Sequence, residues 1–237
     1  MEWLDRGYIL SVRLHGESAL IVSILTEANG RHPGLIRGGG SAKRRGLYQP
    51  GNFLEVNWRA RLPDHLGTYS CELTRAHSAD FLDTPNKLLA LCSAVTLLDN
   101  ALPERQPAPE TFVSFGLLLD ELKGENWAVS YVRWELGLLS NLGFGLDLSK
   151  CAATGERDNL THVSPKSGRA VSKCAAKPYE KKLLKLPSFL LGSGRSPLPE
   201  EIVEGLSLTG FFLRRYVLGD QGRGLLGARE RLIQGLT

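Results

Sequence analysis

Hydrophobic and polar residues alternate through the first 80 residues, and short clusters of turn residues interrupt the alternation. A period of two is typical of half-buried β-strands. In the first run, GYILSVRLH, the pattern places Tyr8, Leu10, Val12 and Leu14 on one face. Four more runs follow: ESALIVSILTEANG (17–30), RHPGLIRG (31–38), GNFLEVNWRAR (51–61) and GTYSCELTRAHS (67–78). Five short strands without a long helix predict a small closed β-barrel of the OB type.

From Thr84 the hydrophobic period becomes that of helices. Thr84 is a candidate cap with Pro85 at the first helical position, and a second helix is predicted over ETFVSFGLLLDELKG (110–124). Asn126 is the candidate cap of a third helix, WAVSYVRWELGLLSNLG, which Gly143 ends in a left-handed conformation. The pattern therefore predicts a helical region after the barrel.

Residues 147–178 lose all periodicity and are rich in Ser, Thr, Gly and Lys, so we predict an irregular segment there. Helices are predicted to resume at YEKKLLKLPSFLL (179–191), PEEIVEGLSLTGFFLRRYVLG (199–219) and GLLGARERLIQGL (224–236). The predicted fold is α+β. An OB-fold domain spans residues 1–80, and an all-helical domain spans 81–237 with the irregular segment 147–178 inside it.

Composition adds that the chain is an ordinary globular protein, with 237 residues of which 42% are hydrophobic and 23% charged. No apolar run approaches the ~18 residues needed to cross a bilayer, and the N-terminus lacks the basic start and apolar core of a signal peptide. We therefore expect a cytoplasmic protein without membrane association.

The net charge of +4 is distributed unevenly along the chain. Residues 81–149 carry nine acidic and four basic side chains, whereas both ends of the chain are basic. The densest window, residues 31–61, contains seven cations against the single acid Glu55. Such a window indicates a polyanionic partner.

Three glycines and three cations adjoin within that window, in GGGSAKRRG (38–46). A P-loop would require a Gly-Lys-Ser/Thr sequence, and a dinucleotide fingerprint would require a strand followed by a helix; neither is present. A basic loop that follows the backbone of a nucleic acid fits the surrounding strands better. The glycines would let the loop bend towards phosphates, and Lys43, Arg44 and Arg45 would supply the charge.

The candidate nucleic-acid ligands of the barrel are the cations of this window and nearby aromatic rings. The cations are Arg31, Arg37, Lys43, Arg44, Arg45, Arg59 and Arg61. Tyr48 is the main candidate for stacking on bases, with Phe53 and Trp58 beside it; core packing is the alternative for each ring. The chemistry of such a loop does not distinguish DNA from RNA, so an RNA-binding OB protein is the alternative function.

Catalysis is not expected. The five histidines, His15, His32, His65, His77 and His162, form no cluster of the kind that a nucleophile or a metal requires.

The order of these segments resembles the bacterial recombination mediator family RecO over essentially the whole chain. The most specific pieces are LYQPG (47–51) and RWELGLLSNLGFGLDLSKC (133–151), and SPKSGRAVSKCA (164–175) is also similar. The resemblance implies an OB barrel, a helical C-terminal body, binding of single- and double-stranded DNA and annealing of complementary strands. It also implies cooperation with RecR and the single-strand-binding protein SSB in loading RecA at gaps, with RecA as an indirect partner.

The basic region 150–237 supplies further candidate residues. Lys166, Arg169 and Lys173 are candidates to extend the DNA track along the basic C-terminal region. The family binds the acidic, apolar-ended tail of SSB, which needs a cation beside apolar helix surface. Arg133 is the first candidate for that contact, followed by Arg214 and Arg215.

One departure from the family concerns zinc. Some RecO relatives carry two C-x-x-C pairs in the irregular segment, and these pairs bind a structural zinc. Here Thr154 stands where the partner of Cys151 would be, and Cys174 has no cysteine at Val171 or Lys177. Tetrahedral zinc requires four ligands, so we expect a degenerate zinc-finger-like segment without metal, and no cofactor.

Overall fold

A computed structural model describes residues 1–41, 44–192, 196–219 and 227–236 of the chain. The contacts divide the chain into two compact units. The first consists of Met1–Leu119 with Leu225–Arg229, and the second of Asp120–Gly224 with Glu230–Thr237. The predicted boundary at residue 80 marks the change from strands to helices, whereas the contacts group the first helix and most of the second with the barrel.

The first unit contains a closed five-stranded barrel, as the alternating pattern predicted. Its strands are β1 (Glu2–His15), β2 (Ala19–Thr26), β3 (Gly30–Ile36), β4 (Phe53–Arg59) and β5 (Thr68–Arg75). They are arranged in the order β1-β2-β3-β5-β4, and only the β3–β5 pair is parallel. The α+β class with an N-terminal OB-type barrel is therefore confirmed.

The barrel interior is filled by the residues that alternate inwards from each strand. Its buried members are Ile9, Leu20, Val22, Ile24, Ile36, Tyr48, Leu54, Val56, Trp58 and Tyr69. Trp58 is buried in this core, stacked 5.4 Å from Trp3 between ring centroids, and its indole N–H donates to the carbonyl of Leu66 at 3.1 Å. The tryptophan thus ties the β4–β5 connection to the core.

The prediction that one face of β1 carries Tyr8, Leu10, Val12 and Leu14 was wrong, because a bulge between Ile9 and Ser11 shifts the register of the strand. A bulge inserts one residue and so reverses which positions face inwards. Before it, Ile9 enters the core and the ring of Tyr8 packs on Phe112 and Phe115. After it, Val12 packs against the core and Leu14 is exposed.

The helices follow the predicted pattern as far as residue 141. They are α1 (Pro85–Ala101), α2 (Pro109–Glu121) and α3 (Trp127–Asn141), and later α4 (Lys173–Ala176), α5 (Pro199–Phe212) and α6 (Gly227–Gln234). The cap expected of Thr84 is not formed, because its hydroxyl donates to the carbonyl of Phe81. Gly143 does end α3 in a left-handed conformation, with φ +85°.

The segment predicted to be irregular contains most of a small antiparallel sheet. Its strands are β6 (Leu160–Val163), β7 (Ala170–Ser172) and β8 (Leu184–Lys185), in the order β7-β6-β8. The helix predicted over residues 179–191 was wrong. Two 3₁₀ turns, Lys177–Lys182 and Ser188–Leu191, flank β8 there. Pro187 disfavours a helical conformation of Leu186, whose N–H instead donates to the carbonyl of Thr161.

In the second unit, α5 packs on α3 through small and polar residues. Gly205 leaves no room for a side chain against Val132 and Phe189, and Thr209 donates a buried hydrogen bond to Glu135. α5 continues into a π-helical turn over Leu213–Leu218. Across the described ranges, no helix has both the length and the apolar character that a membrane span requires.

Candidate nucleic-acid interface

Strand register brings the ends of β3 and β4 to the same end of the barrel. Arg59, the last residue of β4, pairs with Thr68, and Thr68 pairs with Leu35 near the end of β3. Neighbouring strands lie about 4.8 Å apart, so the backbones of Arg59 and Leu35 are about 10 Å apart. Arg37 and Arg61 follow directly after these two strand ends. Cations distant in sequence therefore meet at one rim.

The glycine-rich loop begins directly after Arg37 and packs on the barrel. Gly38 has φ +66°, a conformation that favours glycine. A Cβ on Gly39 would approach Ile36 to 2.9 Å and Tyr48 to 3.2 Å, so the absence of a side chain lets the loop lie on the barrel. The N–H of Gly40 donates to the carbonyl of Ser18 at 2.8 Å and joins the loop to the β1–β2 turn. The glycines thus dock the loop on the barrel end.

Asn52, which the sequence pattern did not single out, fixes the far end of the loop. Its side chain is fully buried, and its amide donates to the carbonyls of Gly46 at 3.3 Å and Leu47 at 3.1 Å. Its side-chain oxygen accepts from the N–H of Ser78 at 3.2 Å and from the hydroxyl of Ser78 at 2.9 Å. One side chain therefore holds the loop residues that follow Arg44 and Arg45.

The rim presents exposed cations. We use the name cationic rim for two groups of exposed arginines: Arg37, Arg59 and Arg61 at the ends of β3 and β4, and Arg44 and Arg45 on the loop that follows β3. Within the described ranges, only Arg59 has a carboxylate within ion-pair distance, Glu2 at 3.4 Å, and its own side chain is still 77% exposed. The predicted ligand Lys43 lies outside the described residues. Charges without acidic partners are available to phosphates.

Arg31 is placed differently from the other predicted cations. It lies near the start of β3, six residues and about 20 Å of strand away from Arg37. Its guanidinium donates to the carbonyl of Leu102 at 2.7 Å and lies 3.6 Å from Asp99 and 3.4 Å from Glu104. Its side chain is only 16% exposed. Arg31 joins strand to helix within the first unit, and we leave it out of the cationic rim.

Two of the aromatic candidates lie in the barrel core, and the third, Phe53, is half-buried against neighbouring rings. Tyr48 is 6% exposed and Trp58 is 1% exposed, and both belong to the core. Burial raises the pKa of the Tyr48 hydroxyl. The ring of Phe53 packs 4.6 Å from that of Tyr8. These positions correspond to the core-packing alternative, so the rim as described offers charge and no stacking ring.

The C-terminal cations cluster on the β6–β7 hairpin of the second unit. Lys166 and Arg169 lie in its turn, and Lys173 follows β7. Lys166 and Lys173 are exposed, whereas Arg169 lies 3.3 Å from Asp147, which neutralises part of its charge. Hydrogen bonds from Ser149, and the charge of Arg169, lower the pKa of Asp147 below its usual value.

Two of the three arginines assigned to a peptide tail, Arg133 and Arg215, donate hydrogen bonds to different backbone segments. Arg133 on α3 is exposed and donates to the carbonyl of Phe189 at 2.9 Å. Arg215 donates to the carbonyl of Pro165 at 2.6 Å, and its guanidinium carbon lies 5.3 Å from the centroid of the Tyr216 ring. Arg214 is exposed beside it. Arg133 therefore belongs to one surface, and Arg214 and Arg215 to another.

The cysteines of the second unit have different environments. Cys151 is buried, and its sulfur accepts from the N–H of Ser172 at 3.2 Å. Although burial opposes ionisation of this thiol, hydrogen bonds from Ser172 and Thr154 lower its pKa to about 6. Cys174 is exposed. In the part of the chain that the structure describes, no group of three or more His, Cys, Asp or Glu side chains is arranged to hold a metal ion.

Comparisons with known proteins give a consistent result over both units. The family profile described as Recombination protein O N terminal matches residues 1–77, and that described as Recombination protein O C terminal matches residues 82–223. A curated protein of Rhodospirillum centenum named DNA repair protein RecO is 48% identical over 235 residues, or 98% of this chain and 94% of its own. Those of Rhodospirillum rubrum and Hyphomonas neptunium, with the same name, are 45% and 44% identical over 100% of this chain and 96% and 99% of their own.

Proposed function

The chain belongs to the recombination protein O (RecO) family of DNA repair proteins, and from this premise we propose that it binds single-stranded DNA through the cationic rim of its barrel. The observation that carries the proposal is that Arg37, Arg59 and Arg61 meet where β3 and β4 end, while Arg44 and Arg45 are exposed on the loop that follows β3. Among the described residues, Glu2 beside Arg59 is the one acidic group at ion-pair distance from these arginines. A rim of guanidinium groups matches a run of phosphates, because each group donates several hydrogen bonds to phosphate oxygens.

Annealing follows from the same electrostatics. Two complementary strands repel each other through their phosphates, and cations that neutralise the phosphates lower this barrier. With its aromatic rings in the core, the rim leaves base edges free to pair. The same contacts are available to the backbone of a duplex, so we include double-stranded DNA among the ligands. The process requires no covalent step.

The partners in this proposal come from the family resemblance: RecR, SSB and, indirectly, RecA. The second unit offers support for the SSB tail. Arg133 is held at the 3₁₀ turn Ser188–Leu191, where Leu191 is 40% exposed. A cation beside exposed apolar surface suits an acidic peptide with an apolar end. We assign the tail contact to Arg133 and not to Arg214 or Arg215.

The affinity for single-stranded DNA is expected to fall steeply with salt, because phosphate neutralisation releases counterions. Five rim contacts predict a slope of about −3.5 in a plot of log K against log salt concentration. Titration of a fluorescent oligonucleotide at several salt concentrations measures this slope. A slope near zero would contradict the proposal.

The same titration with an RNA oligonucleotide of equal sequence tests the alternative function. We expect DNA to bind at least as tightly as RNA, because the rim contacts phosphates and has no group assigned to the 2′-hydroxyl. RNA binding that is tenfold tighter would favour the RNA-binding alternative.

Replacing Arg133 with alanine is expected to weaken binding of an SSB tail peptide about tenfold, as is typical for loss of one charge-assisted contact. Arg157→Ala is a matched control, since Arg157 is exposed in the same unit. Fluorescence anisotropy with a labelled peptide measures both variants. Equal affinities for Arg133→Ala and the unmodified chain would remove Arg133 from the site.

A further inference from the structure

The second unit contains a stack of aromatic rings that no part of the proposed rim uses. The ring of Tyr216 lies 4.9 Å from that of Phe144 with an interplanar angle of 5°, and 6.0 Å from that of Phe212 with an angle of 16°. Phe212 is fully buried, whereas Phe144 is 38% exposed and Tyr216 is 37% exposed. The stack therefore runs from the core to the surface, with Phe144 as its outermost ring.

The backbone holds these rings in place. Phe144 lies between Gly143 and Gly145, just after α3, and its N–H donates to the carbonyl of Leu139 at 2.8 Å. Tyr216 lies in the π-helical turn that extends α5. Such turns occur frequently at functional sites, because they displace side chains from the regular helical positions. An aromatic ring that is both exposed and rigidly supported costs little conformational entropy when a ligand stacks on it.

Two cations lie near the exposed end of the stack. Arg215 lies against Tyr216 and donates to Pro165 in the β6–β7 turn, so Lys166 in the same turn is one residue from this contact. The other side of the turn meets the segment that follows Phe144, since the N–H of Asp147 donates to the carbonyl of Gly168 at 3.1 Å. Arg215 is itself exposed. The acidic residue in these contacts, Asp147, forms an ion pair with Arg169, which offsets its negative charge.

From this arrangement we propose that Phe144 and Tyr216 form a base-stacking platform for single-stranded DNA in the second unit, with Lys166 and Arg215 contacting the adjacent phosphates. A ring face provides contact for any base, and neighbouring cations follow the backbone; this combination is typical of sequence-independent binding to single strands. The platform supplies the stacking rings that the cationic rim lacks. It rests on the proposed binding of single-stranded DNA and adds a second contact region to it.

Four substitutions at Phe144 separate stacking from other effects. We expect affinity for a thymidine oligonucleotide to be retained in Phe144→Trp and to fall about tenfold in Phe144→Ala and Phe144→Leu, because leucine keeps the apolar bulk but has no π-face. Phe144→Tyr should bind like the unmodified chain. For an oligonucleotide of the same length made of abasic sites, all these variants should bind equally.

Leu198→Ala is the matched control, because Leu198 is an apolar residue of the same unit that is 55% exposed. It precedes α5 at the end opposite Phe212, about 20 Å away along the helix. Leu198→Ala should leave the affinities for the thymidine oligonucleotide and for the abasic oligonucleotide unchanged. Thermal melting of each variant verifies that the fold is intact.

The outcomes distinguish this inference from the proposed function. If the unmodified chain does not bind single strands, the proposed function fails. If it binds them and the rim variants are weakened, but Phe144→Ala and Phe144→Leu bind normally, only the platform fails. Equal losses for thymidine and abasic oligonucleotides would overturn stacking. Weaker binding of the SSB tail peptide, with unchanged DNA affinity, would make the surface a peptide site and also overturn the proposal.

Discussion

Replacing Arg37, Arg44, Arg45 and Arg61 together with alanine is expected to weaken binding of single-stranded DNA by about two to three orders of magnitude at 0.1 M salt. Each phosphate contact contributes about 0.7 to the slope of log K against log salt concentration, so loss of four contacts removes nearly three logarithmic units between 0.1 M and 1 M. The slope itself should decrease by about 3. Annealing of complementary strands coated with SSB should slow in parallel.

The control for this variant must remove the same charge elsewhere. Lys123, Lys150, Arg157 and Arg231 are exposed cations outside the cationic rim. A variant with all four replaced by alanine has the same net charge as the rim variant. We expect it to lose less than tenfold in affinity, because general attraction between a basic protein and DNA is weak at this salt concentration. Similar losses in the two variants would mean that net charge, and not the rim, determines binding.

The sequence predicted the barrel but not the meeting of its cations. Alternating hydrophobic residues identified all five strands, because one face of each is buried and the period is two. The proximity of Arg37 to Arg59 and Arg61 depends on the parallel pairing of β3 with β5, which is a long-range contact. The local sequence pattern does not show which strands pair over such a distance in sequence. Arg31 shares the basic window but lies at the other end of β3, where acidic groups of the helical segment pair with it.

The errors in the second unit have a common physical cause. β6, β7 and β8 contain four, three and two residues, which are too few to establish a period of two. The leucines at 183 and 184 suggested a helix, but Pro187 and the pairing of β8 with β6 determine an extended conformation. Short elements stabilised by tertiary contacts override local propensity.

Two groups of functional candidates were not visible as patterns. Phe144 and Tyr216 are 72 residues apart in sequence, and each alone resembles an ordinary core aromatic. Asn52 occurs at the start of the predicted strand run GNFLEVNWRAR, and nothing in that pattern shows that its side chain is fully buried with four hydrogen bonds. An asparagine between a basic loop and a strand is therefore a candidate for a residue that fixes a binding loop through buried hydrogen bonds.

Asn52→Ala is expected to lower the free energy of unfolding by about 3 kcal/mol, because it leaves two backbone carbonyls and the N–H and hydroxyl of Ser78 without their partner. Loss of the tether also frees the loop that carries Arg44 and Arg45, so affinity for single-stranded DNA should fall about tenfold through the entropy of ordering the loop again. Urea denaturation followed by the fluorescence of Trp3 and Trp58, which lie in the barrel, measures the first effect.

The matched control is Asn57→Ala on β4, the strand that directly follows Asn52, where the amide makes one exposed hydrogen bond, to Glu2 at 3.0 Å. Its unfolding free energy should change by less than about 0.5 kcal/mol, as is usual for exposed positions. If Asn52→Ala lost stability but kept full DNA affinity, the placement of the loop would be irrelevant to binding. If Asn52→Ala instead lost affinity and also lowered the slope of log K against log salt concentration as much as Arg44→Ala and Arg45→Ala combined, the tether would act through these two cations. The geometry of the loop predicts this second result.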